Sequence, residues 1–130
     1  MIIEIDTHSG VPIYTQIIEQ VRRLIVAGHL AEGEQIEQVR ILAERLKVNP
    51  MTISKAYGIL ERDGMLERRR GIGLFVARLR KDTQERFRDG MVADACRKAA
   101  AAAIQMGLGE DEAVSLIRQS YQNIISKKKG

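Results

Sequence analysis

Two short stretches of this sequence carry side chains suited to gripping a polyanion. In the first, Arg68-Arg69-Arg70-Gly71-Ile72-Gly73 sets three consecutive guanidinium groups beside two glycines. A guanidinium is a fork of donors that matches phosphate or the guanine edge, and an arginine can also enter a narrow minor groove. In the second, Asn49-Pro50-Met51-Thr52-Ile53-Ser54-Lys55 gathers short polar groups and one ammonium at the start of a helix. The unpaired amides and dipole of such a start favour phosphate or electronegative base edges. Thr52, Ser54 and Lys55 have the reach for backbone oxygens or bases, and Met51 for a thymine methyl. Asn49 is read first as a helix cap and second as a contact. Ahead of this stretch, Arg40 suits a bidentate contact to guanine or phosphate, or else a solvated helix surface.

The charge of the chain supports the first stretch. The 130 residues carry a net charge of +4 and a pI near 9.5. Residues 1–64 are net −2, residues 65–81 net +5, residues 82–126 net −2, and Lys127–Lys129 add +3. All the positive excess therefore lies in two short segments, which attract polyanions by Coulomb forces that salt weakens. The competing reading is a solvated face that maintains solubility. Lys127–Lys129 is read that way, as a frayed, solvated terminus.

Other chemistry finds little footing. His8 and His29 have no partners at metal-ligand spacing, so no metal site is expected. Glu110-Asp111-Glu112 reads as a helix start stabilised by the dipole. Gly71-Ile72-Gly73 joins two strands and does not open a helix, so it is no phosphate loop. There are no paired carboxylates in a pocket-like setting, no Ser/His or Cys/His arrangement and no cofactor fingerprint, so an enzyme is not expected and neither is a cofactor. Cys96 is the single cysteine; it cannot form an internal disulfide, which points to a reducing cytoplasm. It reads as a small buried hydrophobe. The longest apolar run, Ala99–Ile104, is far too short to span a bilayer, and the acidic N-terminus lacks the layout of a secretion signal. With 4 % aromatics and no tryptophan, platforms for stacking single-stranded bases are not expected.

The elements that must position these groups can be read from spacing. Ile3 and Ile5 alternate with Glu4 and Asp6, giving a short strand or extended arm. Pro12 opens a first helix whose apolar face is Tyr14, Ile17, Ile18, Val21, Leu24 and Ile25, ended by Gly28; Arg22 and Arg23 lie on its exposed side. Gln35-Ile36 suits a brief strand. Val39, Leu42, Ala43 and Leu46 carry a second, shorter helix. Asn49-Pro50 then forces a break and a fresh start, with Ile53, Ala56, Tyr57 and Leu60 on the inner face of the third. Leu66–Arg68 and Leu74–Val76 flank a basic hairpin tip. This order predicts a mainly α fold with a small β-hairpin wing: a winged helix-turn-helix over residues 1–81, including the N-terminal arm. Beyond a hinge at Arg80-Lys81, residues 82–130 form a two-helix tail, the first helix capped at Thr83 and reaching about Met106. The second carries Ala113, Leu116, Ile117, Tyr121 and Ile124 as its apolar stripe.

Several motifs now fall into a known order. Pro12-Ile13-Tyr14-Thr15-Gln16-Ile17, Gly28, Gly33, Arg40-Ile41-Leu42-Ala43 and Val48-Asn49-Pro50-Met51-Thr52-Ile53 are followed by Ala56-Tyr57, Leu60, Gly64 and Gly71-Ile72-Gly73-Leu74-Phe75-Val76. Over about residues 11–77 the chain resembles the DNA-binding domain of GntR-family bacterial transcription regulators, and its brief tail is similar to that of the YtrA subfamily. The resemblance implies that Arg40, Asn49, Met51, Thr52, Ser54 and Lys55 face double-stranded DNA, with Arg69, Arg70 and Gly71 at the wing tip. It also implies a homodimer paired through the tail helices. There Phe87, Met91, Ala95, Ala99, Ala102 and Met106 of the first helix and Leu116, Ile117, Tyr121 and Ile124 of the second would form the seam. A palindromic operator with GT- and AC-type arms, repression, and control of the regulator's own operon and ABC transporter genes are further implications. No room remains for a separate effector domain, and the sequence names no effector.

One departure stands out. Where the family commonly carries Leu-Pro-Ser, this sequence reads Ile36-Glu37-Gln38, which removes a serine cap worth about 1 kcal/mol and places an acid where it would repel DNA phosphate. The alternative function is a winged-helix protein-interaction module whose wing binds an acidic partner.

Overall fold

A computed structural model describes residues 3–129. Its elements are α1 (Ile13–Val26), α2 (Val39–Leu46), α3 (Pro50–Arg62), β1 (Leu66–Arg69), β2 (Gly73–Val76), α4 (Lys81–Gln105) and α5 (Glu110–Lys129). Compactness divides the chain into Met1–Arg88 and Asp89–Gly130.

In the first unit, α3 is the central element. Ile53, Ala56, Tyr57 and Leu60 recur at helical spacing and are all buried, against Ile17, Val21 and Ile25 of α1 and Leu42 and Ala43 of α2. Met65, Leu66 and Leu74–Val76 extend this core under the hairpin. The strands pair antiparallel, with Leu66 opposite Val76 and Arg69 opposite Gly73; where a brief strand was expected at Gln35-Ile36, Gln35 alone forms an isolated bridge to Phe75. The N-terminal segment is an extended arm that pairs with glutamine side chains of α1. Gln16 Nε2 donates to the Asp6 and Val11 carbonyls at 2.8 and 2.9 Å, and Gln16 Oε1 accepts from the Asp6 amide at 2.8 Å. Gln20 makes the same reciprocal pair with Glu4. A primary amide carries one donor–acceptor pair like a peptide unit, so two glutamines replace a neighbouring strand and seat Ile3 in the core.

Helix boundaries follow local chemistry with small shifts. Pro12 stands just before α1 as its cap. Gly28, at φ +82°, closes α1 with the His29 and Leu30 amides donating back to the Leu24 carbonyl. Thr83 is not the cap of α4. The helix already begins at Lys81, the Thr83 amide donates to Asp82 Oδ1, and the Gln84 amide reaches the Arg80 carbonyl, which places the start two residues earlier. Gln84 Nε2 donates to the Val26 carbonyl at 3.0 Å, anchoring this end of α4 on α1. Arg22 is not on an exposed face either. It is half-buried and pairs at 3.1 Å with Asp63, the C-cap of α3, because α1 packs on α3 along that side.

The turn between α2 and α3 depends on Lys47, which takes a left-handed conformation at φ 57°, ψ 47°. That region costs a residue with a Cβ about 1–2 kcal/mol. Replacing Lys47 with glycine is expected to raise the unfolding free energy by about 0.5–1 kcal/mol, since the greater freedom of glycine in the unfolded chain offsets part of the relief. Denaturant unfolding of the Lys47→Gly variant checks this, and a lower midpoint would contradict it.

In the second unit, the rest of α4 and α5 are joined through Gly107, at φ +78°. Glu112 accepts from the Gly109 amide at 3.5 Å, so the acidic run does serve the helix start. α5 is helical to Lys129, where fraying was expected. An apolar groove of about 730 Å³ lies between the two helices, lined by Cys96, Ala99, Ala103, Ala113 and Ile117 among others. Cys96 is exposed and not buried, because it lines this open groove. Of the expected seam residues, Phe87 and Met91 are half-buried, and Ala95, Ala99, Ala102, Met106, Leu116, Ile117, Tyr121 and Ile124 are exposed.

Candidate nucleic-acid interface

The start of α3 is built by Asn49 and Pro50. Proline fixes its own φ and turns the preceding residue away from helical angles, and Asn49 Oδ1 accepts from the Met51 amide at 2.9 Å. Asn49 is thus a cap, the first of its two expected roles. With Ile53, Ala56 and Tyr57 held in the core, the helix period turns Met51, Ser54 and Lys55 outward. Met51 is 78 % exposed, a large apolar side chain with no cover of its own. Thr52 is half-buried, and Arg40, at the start of α2, is exposed and makes no ion pair among the described residues.

The hairpin presents its arginines on different faces. Arg69 and Arg70 lead into a turn in which the Ile72 amide donates to the Arg69 carbonyl at 3.0 Å and Gly71 takes φ +76°. This is a type II arrangement, whose third residue must accept positive φ. Arg69 belongs to β1, not to the loop, and its guanidinium carbon lies 4.0 Å from the centre of the Phe75 ring. Arg68, one residue earlier, points the other way and pairs at 3.1 Å with Glu61 of α3. Arg70 and Gly71 are exposed at the tip. Gln35 braces the base of the turn: its Nε2 donates to the Ile72 carbonyl at 3.2 Å, and Gly73, at φ +145°, leaves room for it. Between the hairpin, the start of α2 and α3 lies a cleft of about 280 Å³ lined by Gln38, Ser54, Tyr57 and Arg68 among others.

The structure alters the expectation for Glu37. Its carboxylate is held by Arg45, at 2.7 Å to the terminal nitrogen and 3.3 Å to Nε. Bonding to Glu37 in turn raises the Arg45 pKa above its usual range. The acid that would repel phosphate is therefore largely neutralised within the chain. The backbone carbonyl of Glu37 accepts from the Tyr57 hydroxyl at 2.9 Å, which ties the entrance of α2 to the core of α3. Gln38, at the cap position of α2, makes no side-chain cap bond, as the missing serine implied.

Sequence reasoning missed three of these features. Tyr14 was assigned to the inner face of α1, yet it is half-buried and its ring sits under the Lys55 ammonium at 3.9 Å. Its only signal was a tyrosine at a position where an aliphatic residue would fill a core. The Arg45–Glu37 and Arg68–Glu61 pairs span eight and seven residues across turns, and no local pattern announces them.

Residues 13–76 match the family model described as bacterial regulatory proteins, gntR family. The chain is 43 % identical over 81 residues to the HTH-type transcriptional repressor YtrA of Bacillus subtilis, which is 62 % of each chain. Among solved structures it resembles YtrA from Sulfolobus acidocaldarius, a GntR-family transcription factor, at 32 % identity and a TM-score of 0.59, covering 77 % of this chain and 99 % of that one. The DNA-binding domain of AraR, solved in complex with operator ORE1, matches at 28 % identity and a TM-score of 0.50, over 59 % of this chain and 94 % of that one.

Proposed function

The chain belongs to the GntR family of bacterial regulatory proteins, and from that premise we propose that it is a sequence-specific transcriptional regulator. It binds double-stranded DNA as a homodimer on a palindromic operator and acts as a repressor. Its own operon and neighbouring ABC transporter genes are the targets to test first. Residues 1–81 form the DNA-binding domain and residues 82–130 the dimerisation tail. The observation that carries this reading is the outward flank of α3, where Met51, Ser54 and Lys55 stand exposed beside the arginine-tipped hairpin. A helix N-terminus with short polar groups suits the major groove, and a basic tip suits the adjoining phosphates or minor groove. The relative solved with its operator, and the repressor name of the Bacillus subtilis relative, support the same assignment. The exposed apolar residues of α4 and α5 support pairing through the tail, with two half-sites about 34 Å apart.

Footprinting of the region upstream of the gene is expected to show two protected half-sites. Arg40→Ala should weaken operator binding by about 5- to 150-fold and relax specificity, as expected for a base-reading arginine. Arg70→Ala should weaken operator and unrelated DNA alike and reduce the salt slope by about one. Wild-type-like binding by both variants would remove these arginines from the interface. If Arg69 and Arg70 can be replaced by alanine without effect on DNA while an acidic protein partner is lost, the wing serves protein binding instead.

A further inference from the structure

Two of the cations at the proposed duplex surface, Lys55 and Arg69, do not hang freely in solvent. Lys55 Nζ lies 3.9 Å from the centre of the Tyr14 ring, and Arg69 lies 4.0 Å from that of Phe75. Phe75 is a core residue of the hairpin, 8 % exposed, so its ring would be there whatever Arg69 did. Tyr14 is different. It stands in the first turn of α1, only half-buried, while the buried residues of that helix begin at Ile17. The core does not require an aromatic ring at this position. What the ring touches is the one ammonium of the recognition helix start.

Resting on the duplex-binding reading above, we propose that Tyr14 is a positioning residue for Lys55, its ring holding the ammonium at the edge of α3 so that it meets a DNA phosphate already ordered. A lysine has four rotatable bonds, and fixing it on binding costs rotamer entropy. A ring beneath the ammonium lowers that cost while leaving the ammonium donors on its outer side open to an oxygen acceptor. The ring faces the lysine, so the phenolic hydroxyl takes no part in the device. α1 thereby contributes to recognition without touching a base, and affinity depends on a contact between α1 and α3.

The test uses the full chain with Tyr14→Phe, Tyr14→Leu, Lys55→Met and the Tyr14→Leu/Lys55→Met double variant. Operator affinity is measured across a salt series, with thermal unfolding alongside. Tyr14→Leu is expected to weaken binding by roughly three- to fivefold, the size of an exposed cation–π contact, and Tyr14→Phe to bind within twofold of the wild type. In the Lys55→Met background, Tyr14→Leu should add nothing. In the free protein, the Lys55 side-chain protons should show a ring-current shift that Tyr14→Leu removes. An undiminished Tyr14→Leu effect without the lysine would overturn the proposal, as would a Tyr14→Phe variant as weak as Tyr14→Leu. The absence of a ring-current shift in a protein that binds its operator would overturn it alone. Failure of the wild type to bind any duplex would instead defeat the regulator reading, and the positioning role with it.

Discussion

A chain ending at Arg88 is expected to remain folded and monomeric while its operator affinity falls by about two to four orders of magnitude. The endpoint follows from the structure. Gln84 bonds to the Val26 carbonyl, so a cut at Lys81 would expose the end of α1, whereas a cut after Arg88 keeps that anchor and the whole first compact unit. The size of the loss follows from linkage. When two half-sites are read by two joined domains, the second binds at an effective concentration set by the link, and affinity rises by about 10²–10⁴ over the single domain. Sedimentation gives the oligomeric state and a half-site titration gives the remaining affinity. A truncated chain that stays dimeric would show that the tail is not the seam. One that is monomeric yet binds the full operator as tightly as the intact chain would show that the two half-sites are not linked.

The second large effect concerns Tyr57. Its ring is 2 % exposed in the middle of α3, and its hydroxyl holds the Glu37 carbonyl. Tyr57→Ala should cost about 3–5 kcal/mol, as for other buried aromatics, enough to lower the melting temperature of a unit this size by about 12 °C or more. Tyr57→Phe keeps the ring and should cost about 1 kcal/mol, because the carbonyl loses its donor. Titration separates the two roles. Burial, with a smaller contribution from the negative Glu37, pushes the phenol pKa of Tyr57 well above its ordinary value of 10.0. The folded state thus keeps the proton after the unfolded chain has released it. The stabilisation is complete below about pH 10 and is lost as pH rises from there through the folded-state value, with a slope approaching about 1.4 kcal/mol per pH unit. Tyr57→Phe should remove this share of the alkaline loss. An identical alkaline limb in the variant would mean that the phenol does not titrate in this way.

The parts of the molecule legible in the sequence are those fixed by neighbours in the chain. Asn49-Pro50 announces the break before α3 because capping and φ restriction act within three residues, and Gly71 announces the hairpin turn because few other residues accept its φ. The period of Ile53, Ala56, Tyr57 and Leu60 identifies the buried side and, by subtraction, the exposed flank with Met51, Ser54 and Lys55. What stayed hidden depends on distant partners. Arg22 looked solvated because Asp63 is 41 residues away, and Glu37 looked repulsive because nothing local shows Arg45 folding back to it. Cys96 looked buried because small apolar residues usually are, yet it is exposed, lining the open groove between α4 and α5. Gln16 was legible as part of a motif, but its bonds to the arm required the arm's path to be known.

The pairing of the hairpin also sets a rule of parity for its evolution. Side chains on a strand swap sides with every residue. Arg68 is committed to Glu61 on one side and Arg69 to Phe75 on the other. A single residue gained or lost inside β1 would exchange these two arginines, breaking an ion pair and a ring contact together. Changes in length are tolerable only beyond Arg69, in the short bend around Gly71, or in steps of two. Homologous wings should therefore differ in the size of their tips far more readily than in the phase of their arms.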